Sequence, residues 1–131
     1  MQIKNHLLTG KGIRFVKSPN ISGIFKTSFP DAIIIHYTAG ASAESSVRTL
    51  TNPAAKASAH IVIGRNGSIT QLVPFNTIAW HAGKSSYDDR HGYNNFSIGI
   101  EIDNAGLLTK VGESYQSWFG RIYPASEMAP A

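Results

Sequence analysis

Four stretches of this chain carry side chains that could do chemistry together. His36 follows four apolar residues in Ala32–Gly40, AIIIHYTAG; His60 sits in SAHIVIG; Trp80 and His81 stand in TIAWHAG; Glu101 falls inside FSIGIEID. A histidine near a carboxylate that is not itself a ligand suits metal-assisted hydrolysis. Bound zinc lowers the pKa of its water to about 7, and the carboxylate takes the proton as that water attacks a carbonyl. No HExxH or other compact ligand pair is present, so spacing by itself gives little support for a metal. Other chemistries have less. There is no GxSxG elbow and no cysteine for a nucleophile, and no Walker A or GxGxxG loop for a nucleotide. Taken singly, His36 also reads as a core-edge histidine held by a backbone carbonyl, and Glu101 as the solvated face of an edge strand.

The elements that must position these groups follow from local pattern. AIII is a short, continuous apolar run of the kind found in strands buried on both faces. A polar residue at its end, before a Gly turn, stands where open sheets place their sites. Ser42 reads as an N-cap with Glu44 in the first turn, opening a helix that Asn52-Pro53 stops, with Ala43, Val47 and Leu50 as its apolar stripe. Ser58–Gly64 and Ser68–Val73 read as a hairpin around the Asn-Gly turn of Arg65-Asn66-Gly67, with His60 and Val62 on one face. In Phe96–Asp103, Ile98, Ile100 and Ile102 point one way while Ser97, Gly99 and Glu101 point the other. A glutamate inside a strand, beside a glycine that removes bulk, is costly unless it meets water, a cation or a metal site.

The first thirty residues scatter apolar positions among Gly, Pro, Asn and Ser, which predicts short edge strands or an arm over the domain. Lys84–Asn95 reads as a solvated loop. Tyr115, Trp118, Phe119 and Ile122 fall at i, i+3, i+4 and i+7, which predicts a helix within Gly112–Ile122 closed by Pro124. The order strand, helix, hairpin, strand, helix gives an α/β domain with a central mixed β-sheet flanked by helices.

Composition narrows the class. At 131 residues the chain suits one domain; 42% hydrophobic and 15% charged residues make it globular. No apolar run nears the roughly 20 residues that span a bilayer. MQIKNHLLTGKGIRF holds no apolar leader core, which makes the cytoplasm the default expectation and lysis or another export route the way to a cell wall. Zero cysteines exclude disulfides and thiolate metal sites. The net charge of +4 suits an anionic partner, nucleic acid or bacterial wall. The absence of a clustered basic helix argues against nucleic acid.

IIIHYTAG, then SAHIVIGRNGSITQLVPFNTIAWHAG, then NNFSIGIEI strongly resemble the zinc-dependent N-acetylmuramoyl-L-alanine amidases of type 2. That family includes phage lysozyme-like amidases and the animal peptidoglycan recognition proteins. The likeness runs from about Ala32 to Asp103 and implies a central mixed sheet with a zinc cleft along one side. It implies that His36 is the first zinc ligand and that Glu101 is the catalytic glutamate activating zinc-bound water. Trp80 and His81 would border the cleft and touch substrate, and His60 would be structural or support the site from behind. Ala59 falls where some phage members carry a catalytic tyrosine, so that group is absent here. His6 and His91 match nothing in the family.

The resemblance also implies a second zinc histidine, a third ligand (Asp or Cys) and a stabilising lysine in a later segment. We therefore expect a single amidase domain over 1–131, incomplete at its C-terminus. Zn2+ is expected for the complete domain and weak or absent in these residues alone, since catalytic zinc uses three protein ligands. The expected partner is peptidoglycan or a muropeptide, with no nucleic acid or membrane, and with possible self-association through apolar surface left uncovered near the C-terminal region. The expected function is hydrolysis of the amide between N-acetylmuramic acid and L-alanine of the stem peptide. The alternative is a muropeptide-binding module without catalysis.

Overall fold

The computed structural model describes residues 1–128. Its first half runs β1 (Gln2–Lys4), β2 (Leu7–Thr9), β3 (Ile13–Phe15), β4 (Ile21–Ile24), β5 (Ala32–Tyr37) and α1 (Ala43–Leu50). The second half adds β6 (Ile61–Ile63), β7 (Ile69–Gln71), β8 (Thr77–Ala79), β9 (Ser86–Tyr87), β10 (Arg90–His91) and β11 (Ser97–Ile102). It ends with β12 (Leu108–Val111), β13 (Ser114–Ser117) and β14 (Ile122–Pro124).

Five strands form the mixed central sheet in the order β3-β7-β6-β11-β5. β11 runs parallel to both β5 and β6, β3 is parallel to β7, and β6 and β7 form the antiparallel hairpin that the Asn-Gly turn predicts, with Gly67 at φ 78°. Because residues in register share a face, the pairing defines two rows across all five strands. Arg14, Thr70, Val62, Glu101 and His36 form one row. Ile13, Ile69, Ile63, Ile102 and Tyr37 form a row on the opposite face.

The polar row lies on the side covered by α1. Ser42 caps that helix as read, but the reciprocal partner in its capping box is Ser45; Glu44 instead pairs with Arg14 of the first row. Asn52 then caps a single 3-10 turn beginning at Pro53, so the helix stops where expected. Val47 of α1 packs with Val62, Leu72, Val73 and Ala79 in the core, and Ile21 of β4 packs against the same cluster. β4 pairs antiparallel with β8, and the segment after β8 lies on the polar side of the sheet, where His81 meets His36.

The apolar face is covered at one end. The β1–β2 hairpin reaches over it, with the Leu8 N–H donating to Gln71 Oε1 (2.6 Å) and Gln71 Nε2 donating to the His6 carbonyl (3.1 Å). At the other end Ile33, Ile35 and Tyr37 of β5 are 65%, 58% and 64% exposed. Apolar side chains are exposed near the C-terminal region as well, at Leu107, Trp118 and Ile122.

Two expectations need correction. The predicted helix within Gly112–Ile122 is a three-stranded antiparallel meander, β12-β13-β14. Gly112 (φ 59°) and Gly120 (φ 90°) sit at its turns in the left-handed region, which breaks any helical run and favours tight reversals. The helical spacing of Tyr115, Trp118, Phe119 and Ile122 does not make a buried stripe: Trp118 and Ile122 are exposed. Consequently α1 is the one α-helix among the described residues, and the sheet is flanked by it and by hairpins, not by helices on each side. Lys84–Asn95 is also more ordered than a plain loop, holding the short β9–β10 hairpin and a 3-10 turn.

Candidate active site

His36 and Glu101 are register partners on neighbouring parallel strands, so their side chains leave the same face of the sheet side by side. Glu101 lies on an interior strand, paired on both sides, which excludes the edge-strand reading of its carboxylate. It is half-buried, and its Oε2 is buried with no hydrogen-bond partner among the described residues. Burial pushes its carboxyl above the ordinary value. An unpaired carboxylate in such a place can accept a proton from a reacting group.

His36 is fixed by a second imidazole. Its Nε2 lies 3.0 Å from His81 Nδ1, with the rings edge to face at 5.2 Å. The other nitrogen of His81 faces the Ser97 carbonyl (3.3 Å) and Ser97 Oγ (3.2 Å). A carbonyl can only accept, so His81 Nε2 carries the proton and its bare Nδ1 accepts from His36 Nε2–H. The order continues through Ser97 Oγ, which donates to the Tyr93 carbonyl. His36 is thereby held with Nδ1 as the ring nitrogen without a protein partner among the described residues. Burial lowers the basicity of His36, and burial also brings His81 down to about 4, so both rings are neutral at pH 7.

Glycine makes room for this arrangement. A Cβ at Gly99 would lie 2.3 Å from His81 Cγ, inside any permitted contact. The missing side chain of Gly99 is therefore filled by the His81 ring. The backbone of the WHAG segment is pinned as well, since the N–H groups of His81 and Ala82 both donate to Asn94 Oδ1 (3.0 and 2.7 Å).

His60 stands behind the pair. It is fully buried between the stacked rings of Phe25 (6.0 Å) and Phe75 (6.4 Å). Its Nδ1 accepts the Gly99 N–H (3.0 Å) and its Nε2 donates to the Thr77 carbonyl (2.8 Å), so neither nitrogen is free for a metal. Burial lowers its pKa to about 4 despite the Thr77 hydrogen bond. The ring ties β11 to β8 across the core.

Trp80 is anchored on the β4 side, its indole N–H donating to Ser22 Oγ (2.5 Å) and its backbone N–H to Ser58 Oγ (2.8 Å). His6 and His91 take no part in these contacts. Sequence reasoning missed Ser97, which ends the imidazole chain, and Trp118 and Phe119, which share a cleft with Glu101. The first was legible in hindsight as the small polar residue two before Gly99 on the same face.

The donor set does not make a zinc centre. No group of three or more His, Asp or Glu side chains that could hold a metal ion occurs among the described residues. With His60 fully bonded and His81 Nδ1 occupied by His36, this cluster offers a metal one imidazole nitrogen, against three protein ligands at a catalytic zinc.

The sequence profile of the N-acetylmuramoyl-L-alanine amidases of the Amidase_2 group matches residues 26–128. The chain belongs to this amidase family. The 1,6-anhydro-N-acetylmuramyl-L-alanine amidase AmpD of Citrobacter freundii is 49% identical over 61 residues, covering 47% of this chain and 33% of that protein. The chain thus matches about a third of the length of this curated relative. A crystal structure of selenomethionine AmpD superposes with a TM-score of 0.66 at 30% identity, covering 86% of this chain and 71% of that one. The E. coli amidase AmiD, solved with its substrate anhydro-N-acetylmuramic acid-L-Ala-D-γ-Glu-L-Lys, superposes with a TM-score of 0.55 at 35% identity. That match covers 70% of this chain and 38% of AmiD. The amidase-family fold is thus the mixed sheet described above. No helix among the described residues is long and apolar enough to cross a membrane.

Proposed function

We propose that this amidase-family chain carries the base half of a peptidoglycan amidase site, for hydrolysis of the amide between N-acetylmuramic acid and L-alanine of the stem peptide. The observation that carries this reading is the pairing of His36 with Glu101 in one row of the sheet, with Glu101 Oε2 buried and unpaired. Glu101 would take a proton from the attacking water and return it to the leaving amine, first as general base and then as general acid. Its raised pKa suits the second role, because the proton must be given up again near neutrality.

His36 is assigned as the metal-facing residue, with Nδ1 as its donor, and His81 as the residue that orients it. Residues of the WHAG segment form the wall of the site, and His60 is structural. Because no group of three metal ligands converges among the described residues and the site itself offers one imidazole nitrogen, residues 1–131 alone should bind zinc weakly. Muropeptides are the proposed ligands, as in the relatives solved with them.

Replacing Glu101 by Gln tests the reading. In the domain supplied with its remaining zinc ligands, release of stem peptide from an anhydro-muropeptide, followed chromatographically, should fall by roughly 10²–10⁴ from the measurable rate of the unaltered domain while calorimetric binding of the muropeptide persists. Equal turnover by the two proteins would overturn the assignment. A second reading, a muropeptide-binding module, is favoured by the single metal-facing nitrogen. Binding by the unaltered chain with no turnover at any zinc concentration would establish it.

A further inference from the structure

β5 is an undefended margin of the sheet. It runs six residues, Ala32–Tyr37, with no Asp, Glu, Lys, Arg or Pro and an unbroken register to β11. Sheets ordinarily protect such an edge with lysine, proline, a bulge or brevity. The opposite margin does so: β3 has three residues and carries Arg14. The ladder to β11 uses alternate residues of β5, since the Ala32 and Thr38 N–H groups donate to the Phe96 and Ile102 carbonyls (3.3 and 3.0 Å). In a parallel pair the residues between these turn their N–H and C=O groups the other way. Ile33, Ile35 and Tyr37 therefore present both groups to an edge that no strand occupies among the described residues. Their side chains are also the exposed ones of the strand, on the face opposite His36.

A strand whose free groups sit at these three positions is complementary to itself. Two copies related by a two-fold axis run antiparallel, so that Ile35 pairs with Ile35 and Ile33 stands opposite Tyr37 at either end. Every facing side chain is uncharged, and nothing in this register repels. The register also meets a cavity. Beside Ile33 an open pocket of about 470 Å³ is walled by Tyr87, Arg90 and Tyr93. The side chain that antiparallel pairing brings to Ile33 is the partner's Tyr37, an exposed ring with a hydroxyl for the polar rim. Symmetry fills both pockets at once.

We infer that β5 is a pairing edge for a second copy of this chain, joined through Ile33, Ile35 and Tyr37 into one continuous sheet. The same register places Ile34 of the partner subunit opposite His36, on the side away from Glu101. Each copy thereby walls the other's site at the margin of the sheet. The contact does not involve Glu101, so it stands or falls apart from the amidase reading. A ladder of three residues is smaller than the standard interface of about 800 Å² per partner, and the pair separates on dilution.

Sedimentation equilibrium of the full chain, from about 10 µM to about 1 mM, reads the association. The mass should climb from the 14.2 kDa of one chain toward that of two. Over the same range the amide proton signals of Ile33, Ile35 and Tyr37 should move downfield, while those of Ile34 and His36, already bonded within the sheet, should move far less. Ile35→Lys sets like charges opposite each other at an exposed position and should weaken association by roughly tenfold or more, as should Ile35→Glu; a native circular-dichroism spectrum checks that each variant is folded. Mixing the two variants in equal amounts should restore the pair, because a two-fold register sets position 35 against itself. The mass of one chain at every concentration overturns the proposal. So does association that survives either charge, or that the mixture fails to restore, since either would place the contact on another surface or in another register.

Discussion

At the scale of single residues, the site depends on an absent side chain. His81 occupies the space over Gly99, and through it His36 receives its orientation. Gly99→Ala would push a methyl into the imidazole, and overpacking of this kind costs about 1–3 kcal/mol. We expect a lower urea midpoint together with loss of the fixed His36 tautomer, read from imidazole ¹⁵N shifts of the metal-free protein. An alanine variant with native midpoint and native imidazole shifts would show that the ring is not seated on Gly99. The alternation of Ser97, Gly99 and Glu101 told which residues share a face, and the family resemblance marked Glu101 as the one to expect at the site. The hydrogen-bond direction through three side chains was not legible, because it depends on a contact between residues 45 apart in sequence.

At the scale of elements, the meander shows where pattern reading failed. Four apolar residues at helical spacing satisfied a helix template, but a span of eight residues is also long enough for two strands and a turn. The glycines were the better signal. In a helix, Gly→Ala at 112 or 120 would stabilise by about 1 kcal/mol. At the positive φ values found here the same changes should destabilise by a similar amount or more. The sign of the shift in the urea midpoint therefore distinguishes the two structures. By contrast, α1 and the β6–β7 hairpin were legible because each carries its own stop signals: the Ser42 cap, Asn52-Pro53, and Asn66-Gly67.

At the scale of the whole molecule, the buried histidines set how stability responds to acid. His60 titrates near 6.5 when unfolded and at about 4 when folded, so between these values the unfolded chain binds more protons. Stability is full above pH 6.5 and falls as the pH drops toward 4. From pH 7 to pH 5 the loss from His60 is about 2 kcal/mol. His81 acts in the same direction, whereas the raised pKa of Glu101 acts in the opposite one, favouring the fold as that carboxyl protonates. Urea midpoints at the two pH values, with the slope unchanged, check the sum. A midpoint that rises on acidification would contradict the burial of these rings.

The placement of β5 at the margin of the sheet has a kinetic meaning. Its only ladder of backbone hydrogen bonds among the described residues is to β11, and its outward isoleucines lie open to water. Edge segments with few buried contacts open locally at lower free energy than the sheet interior. His36 rides on the strand that opens, and Glu101 on the strand that stays. Each brief opening separates the two groups that share a row, so the lifetime of the assembled pair is set by the fraying of one strand and not by global unfolding. A ligand that touches both strands would lengthen that lifetime simply by being bound, and the amide protons of β5 would exchange more slowly in its presence.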